Sequence, residues 1–154
     1  MPLWDINYTA GGLSAQQRQS LADAITKIYT TLGLPPFYVQ VRFRESAPTS
    51  LFVGGQDYSS TTGTNSQKHL SVQIVHVARS FDSETAKQRF LTKVDRVLNP
   101  LLDGKGWNWE YWVMEGPREL WKINGLVPPP TGSEMEKKWY KANRPLKSST
   151  EEKL

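Results

Sequence analysis

Cysteine is absent from this 154-residue sequence, and histidine is scarce. Without cysteine there can be no disulfide bond, no thiolate nucleophile and no cysteine–zinc site. The two histidines, His69 and His76, have an odd spacing, which on a strand places side chains on opposite faces. We therefore expect no metal site and no Ser–His–Asp constellation.

Long apolar runs are also lacking. No stretch approaches the ~20 consecutive apolar residues that span a bilayer, and the opening MPLWDINYTAGG lacks the features of a signal peptide. These absences predict a cytoplasmic protein with no membrane partner. The 19 basic residues only slightly exceed the 15 acidic ones and form no dense basic stripe, which disfavours a nucleic-acid partner.

The first third of the chain has the pattern of strand, helix, strand. Alternating apolar and polar residues predict a strand over residues 2–8 and another over residues 37–45. Between them, a capping box at Ser14 and Gln17 predicts the start of a helix, and Gly33 is placed to end it. The apolar stripe expected on this helix consists of Leu21, Ile25, Ile28 and Leu32.

The same order returns after a polar stretch, YSSTTGTNSQ, that we expect to be mobile. A third strand is predicted over residues 69–77 and a fourth over 107–114. Asp82 or Ser83 can cap the helix between them, and Asn99-Pro100 is expected to close or kink it. Two tandem β-α-β units predict an α/β (α+β) fold with a four-stranded sheet and two main helices.

The domain prediction divides the chain near residue 130. Residues 1–130 hold the two β-α-β units, and residues 131–154 form a C-terminal extension. Ser133 and Glu136 form another S-x-x-E box, so part of this extension is predicted to be helical over residues 133–143. The last residues, KSSTEEKL, are expected to fray.

A proline directly after the initiator methionine opens the first strand, and an ordered set of segments follows it. They are PLWDINY, LADAITKIY, VQVRFRE followed by LFVGG, and VMEGPREL. Over roughly residues 2–130 this set resembles the tautomerase superfamily, and within it the cis-3-chloroacrylic acid dehalogenase-like group. The resemblance implies a homotrimer with active sites at the amino ends of the chains, acting without a cofactor on a small carboxylate.

The resemblance also implies roles for individual residues. Pro2 falls on the catalytic proline, and Arg79 falls on, or within a residue of, an arginine that binds the substrate carboxylate. His76 or Val77 occupies the place of a second such arginine. The glutamate that activates water in the dehalogenases aligns with Ile123, one helical turn from Glu119. Tyr29 replaces a family histidine, and Trp112 replaces a family tyrosine. The substrate-binding residues implied in this way are Arg79, Tyr29, His76, Trp112 and Tyr111.

The nitrogen of Pro2 becomes a secondary amine only after Met1 is removed. An α-amino group has a reference pKa of about 7.7–8.0, and an apolar pocket or a nearby cation lowers it further. Such a base can move a proton next to a carbonyl group. Pro2 is therefore predicted to be the general base of a tautomerase that acts on a small 2-oxo or enol carboxylate.

Each candidate residue also has a purely structural interpretation. Tyr29 can be a half-buried tyrosine, His76 a core histidine, and Arg79 a surface arginine. The run WNWEYW can pack the core and a subunit interface. The alternative functions are accordingly a binding or structural trimer that lost the chemistry, or a weak hydratase or dehalogenase.

Overall fold

The computed structural model describes residues 2–60 and 67–147. Most of the polar stretch predicted to be mobile, residues 61–66, and the predicted frayed end, residues 148–154, lie outside the described residues. The main strands are β1 (Leu3–Tyr8), β2 (Gln40–Glu45), β5 (Lys68–His76) and β6 (Trp107–Glu115); β3 (Phe52–Val53) and β4 (Gln56–Asp57) form a short hairpin. The helices are α1 (Ala15–Thr30), α2 (Glu84–Leu102) and α3 (Glu134–Ala142), and 3-10 turns cover Pro36–Tyr38 and Arg118–Leu120.

The four main strands form one sheet in the order β2-β1-β5-β6. Strands β1 and β2 are parallel, β5 and β6 are parallel, and β1 and β5 run antiparallel at the centre. Each parallel pair is joined through a helix, α1 or α2, because parallel neighbours need a crossover connection. The predicted tandem β-α-β fold is confirmed.

One face of the sheet carries the core and the other is open. Trp4, Ile6 and Tyr8 of β1 are buried, as the alternation of that strand predicts. They belong to the same apolar cluster as the buried residues of α1 and α2, so both helices cover this face. On the open face Trp112 and Met114 of β6 are 44% and 42% exposed.

Three local expectations are corrected by the structure. Helix α1 ends at Thr30, so Leu32 lies beyond it and is 42% exposed, whereas Tyr29 is fully buried. Strand β2 begins at Gln40 rather than at residue 37, because the 3-10 turn Pro36–Tyr38 precedes it. Helix α2 does not close at Pro100 but continues to Leu102; in the last turn the missing proline N–H removes only one helical hydrogen bond.

Helix α3 packs against the rest of the domain. Ser133 is its N-cap, as the sequence predicts, and accepts a hydrogen bond from the backbone N–H of Glu136. Trp139 is 1% exposed and belongs to the main core cluster, with its ring 6.0 Å from that of Phe37. The C-terminal extension therefore contributes to the core that the β-α-β units build.

Candidate active site

Pro2 lies at the buried beginning of β1, at the centre of the sheet. Its carbonyl oxygen accepts a hydrogen bond of 2.9 Å from the backbone N–H of Gln40, which fixes it to β2. On the other side, Leu3 is opposite Val75 of β5. Leu3–Val75 is the last pair of this antiparallel register, so Pro2 and His76 are the next residues on the two strands, and both are buried.

His76 is enclosed by aromatic rings. It is 2% exposed and stacks on Phe81 with a centroid distance of 4.4 Å and an interplanar angle of 6°. The rings of Phe90 and Tyr29 lie 4.7 and 6.0 Å away. Burial lowers the pKa of His76 to about 4, against the opposing effect of the Glu115 carboxylate. The imidazole is therefore neutral near pH 7.

Tyr29 lies beside His76 and is fixed by a tryptophan. Its phenol oxygen accepts a hydrogen bond of 2.9 Å from Nε1 of Trp4. Burial raises the pKa of Tyr29, while the hydrogen bond from Trp4 acts in the opposite direction. The phenol thus keeps its proton and can still donate one hydrogen bond.

Arg79 follows β5 and is held by a buried carboxylate. Its Nη1 and Nη2 atoms each donate a 3.1 Å hydrogen bond to one carboxylate oxygen of Glu136, which is 2% exposed. Nη1 also donates to the backbone carbonyl of Ala78 at 2.9 Å. The expectation of an ordinary surface arginine does not describe this residue, whose side chain is only 19% exposed.

A cleft of about 430 Å³ opens beside these residues. His76, Phe81 and Phe90 form an aromatic wall, and Arg79 contributes to the lining. Arg89 and Lys93 of α2 line the same cleft, and no salt bridge involves either of them within the described ranges. The cleft therefore combines an apolar wall with three cationic groups and one carboxylate, Asp82, an excess of positive charge suited to a small organic acid.

Tyr111 and Trp112 are not part of this cleft. Neighbouring residues of β6 point to opposite faces, so Tyr111 faces α2 and Trp112 the open side of the sheet. The Tyr111 hydroxyl donates a 2.8 Å hydrogen bond to Asp95. Both residues line a second cleft of about 480 Å³ at the edge of β6, which shares Phe81 and Phe90 with the first.

The residues aligned with the water-activating glutamate are not near the first cleft. Ile123 is 9% exposed and belongs to the apolar core, and Glu119 is an exposed residue of the turn Arg118–Leu120. Glu115 accepts a 2.8 Å hydrogen bond from the backbone N–H of Phe81 and so holds the segment between β5 and α2. Neither carboxylate lines the cleft beside His76.

Sequence reasoning missed the role of Glu136. The S-x-x-E pattern explains the helix start, but the Glu136 side chain bonds Arg79 and the backbone N–H of Gly132 instead of returning to the N-cap. Phe81, Phe90 and Arg89 were also missed as lining residues, because nothing in their local spacing points to a site. In the part of the chain that the structure describes, no group of three or more acidic or histidine side chains is arranged to hold a metal ion.

A protein-family model described as "Putative oxalocrotonate tautomerase enzyme" matches residues 1–144. The chain therefore belongs to this tautomerase family. A search of curated proteins finds no match. Within the described residues, no helix is both long and apolar enough to cross a membrane.

Solved structures show the same relationship. A probable enzyme from Aspergillus fumigatus is 41% identical, with a TM-score of 0.87 over 96% of this chain and 98% of that one. RhCC from Rhodococcus jostii RHA1 is 32% identical, with a TM-score of 0.84 over 96% of this chain and all of that one. N1, a member of the cis-3-chloroacrylic acid dehalogenase family, is 23% identical, with a TM-score of 0.66 over 99% and 97% of the two chains. The resemblance to the tautomerase superfamily is confirmed, and the likeness to N1 shows a shared fold.

Proposed function

We propose that this protein is a cofactor-free tautomerase in which Pro2, after removal of Met1, is the general base for a small 2-oxo or enol carboxylate. The observation that supports the proposal is the register of β1 and β5: its last pair is Leu3 with Val75, so Pro2 and His76 are the next residues on the two strands, and His76 lines the cleft. In this proposal the amine lies at the side of the cleft that His76 lines, where Phe81 and Phe90 are apolar and Arg79, Arg89 and Lys93 are cationic. Both conditions favour its neutral, basic form.

The proposed reaction is the ketonisation of an enol acid. The Pro2 nitrogen takes the proton of the 2-hydroxyl group as the O–H bond breaks and the carbon–oxygen double bond forms. The same nitrogen then gives a proton to C3, where the carbon–carbon double bond is lost. The proton count balances and no other reactant is needed.

The proposed roles of the neighbouring residues follow from their protonation states. Arg79 binds the acid group, because a guanidinium pairs with a carboxylate through two hydrogen bonds. Neutral His76 and the protonated phenol of Tyr29 are the candidates to donate a hydrogen bond to the 2-oxygen. Tyr111 and Trp112 lie elsewhere on the monomer, so they would contact substrate only if a homotrimer brought a neighbouring subunit's cleft to them.

The first prediction concerns the amine itself. Once mass spectrometry shows that Met1 is gone, we expect Pro2→Ala to lower kcat/KM for phenylenolpyruvate ketonisation by about 10²- to 10⁴-fold, the usual contribution of a general base. A chain extended before Pro2, in which the nitrogen is an amide, should be equally impaired. Pro48→Ala, in an exposed loop, is the matched control and should retain wild-type activity.

Equal rates for wild type and Pro2→Ala would remove Pro2 from the mechanism. A chain that keeps Met1 in cells would contradict the enzyme proposal as a whole. Absence of activity in every version, on several enol acids, would favour the alternative of a binding or structural trimer. The observation in favour of that alternative is that Arg79 and Tyr29 already have partners within the chain, Glu136 and Trp4.

Hydration or dehalogenation is a weaker proposal. Both need a group that activates water, and the aligned position holds the buried apolar Ile123. Glu119, the other candidate, is exposed and outside the cleft. Proton transfer requires only the amine and a bound acid, so it fits the residues better.

A further inference from the structure

We propose that Glu136, from helix α3, is a positioning residue that orients Arg79 so that one edge of the guanidinium faces the cleft and binds the acid group of the substrate. This inference rests on the proposed function, and it adds a residue from the C-terminal extension to the acid-binding machinery. The argument comes from the hydrogen bonds that Arg79 makes and from those it leaves available.

A guanidinium has five N–H donors in a fixed planar arrangement. The Glu136 carboxylate accepts one hydrogen bond from Nη1 and one from Nη2 of the guanidinium. The carbonyl of Ala78 accepts the second N–H of Nη1. The two remaining donors are Nε–H and the outer N–H of Nη2. These two are parallel and lie on one edge, the geometry that a second carboxylate can bind through both oxygens.

One donor of the unused edge of Arg79, Nε–H, is not buried. Among the described residues, the buried side-chain polar atoms without a hydrogen-bond partner are Tyr38 Oη, His69 Nδ1 and His76 Nδ1, and no atom of Arg79 is among them. Arg79 also lines the cleft together with His76. In this proposal the free Nε–Nη2 edge faces the cleft, where an acid group would lie beside His76.

Glu136 is itself rigidly held, so it can impose one orientation. Its Oε2 accepts a 2.7 Å hydrogen bond from the backbone N–H of Gly132, and its own backbone N–H is capped by Ser133. One turn further along α3, Trp139 is buried in the core. A carboxylate that is 2% exposed is costly unless it is paired, and Arg79 is the cation that pairs with it.

The test is binding of an unreactive acid, 3-phenylpropanoate, measured by calorimetry on the full chain. We expect Glu136→Gln to weaken binding about tenfold, which corresponds to about 1.4 kcal/mol. In kinetics, KM should rise while kcat changes little. Glu134→Gln, an exposed carboxylate of the same helix that pairs with Lys137, is the matched control and should bind as wild type.

A double-mutant cycle that combines Glu136→Gln with Arg79→Gln distinguishes a positioning role of Glu136 from a structural one. If Glu136 acts through Arg79, Glu136→Gln should cause no further loss of binding in the Arg79→Gln background. An undiminished effect in that background, unchanged binding by Glu136→Gln, or tighter binding because a competing carboxylate is gone would each overturn the proposal.

A second measurement uses the wild-type protein alone. In ¹⁵N spectra the Nε–H signal of Arg79 should shift when 3-phenylpropanoate is added, because that group donates to the acid. An unchanged signal under saturating acid, or no binding of the acid at all, would overturn the role given to Glu136. Neither result would decide whether Pro2 transfers a proton, because the acid has no enol to react.

Discussion

Tyr29 follows Ile28 on α1, yet it replaces Leu32 as the buried residue at the end of the apolar stripe. Because α1 stops at Thr30, the space above β1 is filled by the Tyr29 ring, which contacts His76 and receives the hydrogen bond from Trp4. A polar aromatic residue is suited to this position, since it packs like an apolar residue and keeps one polar atom near the cleft.

The burial of His76 predicts how the stability of the protein depends on pH. Its folded pKa of about 4 lies below the unfolded value of about 6.5, so between these values only the unfolded state takes up the proton. The free energy of unfolding should therefore fall as pH decreases from 6.5 towards 4, by about 2 kcal/mol at pH 5. His76→Phe keeps an aromatic ring against Phe81 and Phe90. Its free energy of unfolding, measured with urea at both pH values, should fall less between pH 7 and pH 5 than that of the wild type.

His69 remains in both proteins, and burial also lowers its pKa, so the difference between the two pH profiles isolates His76. Parallel profiles would show that His76 is not kept neutral by the fold. That result would also remove the proposed role of a neutral imidazole beside Pro2.

At the scale of elements, helix α3 packs as part of the domain, although the sequence predicts it to be an extension. The division near residue 130 is a prediction based on where the β-α-β units end. In the structure, α3 supplies Trp139 to the core and Glu136 to Arg79. The Nε1 atom of Trp139 also donates a 2.9 Å hydrogen bond to the backbone carbonyl of Leu146, which holds the chain after the helix.

We expect Trp139→Ala to lower the free energy of unfolding of the whole domain by about 3–5 kcal/mol, the usual cost of truncating a buried aromatic residue. The physical reason is the loss of a ring that packs near Phe37 and Tyr38. The measurement is urea unfolding followed by circular dichroism of the full chain. Lys138→Ala, an exposed neighbour on α3, should change little; equal stability of both variants would mean that α3 is a detachable extension.

At the scale of the whole molecule, the open face of the sheet is the surface that suggests assembly. Trp112 and Met114 are large, apolar and partly exposed there, beside polar residues of the inner strands. Exposed apolar side chains on one face of a sheet favour contact with another chain. The resemblance to the tautomerase superfamily implies a homotrimer, and we predict that this face is part of its interface.

We expect sedimentation velocity to give three times the mass of the chain. Trp112→Glu should shift the protein towards monomer, because a carboxylate in a packed interface loses its hydration. Leu120→Glu is the control: Leu120 is 81% exposed but lies in the turn Arg118–Leu120 rather than on a strand. A monomeric wild type, or equal mass for Trp112→Glu and wild type, would contradict an interface on this face.

Much of the fold could be predicted from the sequence because its signals are local. The alternation of Trp4, Ile6 and Tyr8 decides which side of β1 is buried, and Ser14, Ser83 and Ser133 mark the first turns of the three helices. The alternation of strand and helix predicts parallel pairs, and Pro2 is placed at the start of a strand by position alone. These features depend on residues a few positions apart, so a linear pattern contains them.

Only the tertiary structure decided which candidates meet. Pro2 and His76 flank the pair Leu3–Val75 because β1 and β5 are neighbours, and the periodicity of a sequence does not reveal strand order. Arg79 and Glu136 pair across 57 positions because α3 docks beside the end of β5. The structure likewise places Tyr111 and Trp112 on opposite sides of the sheet. Contacts between distant residues depend on how whole elements pack, and that packing is a property of the complete core rather than of any single segment.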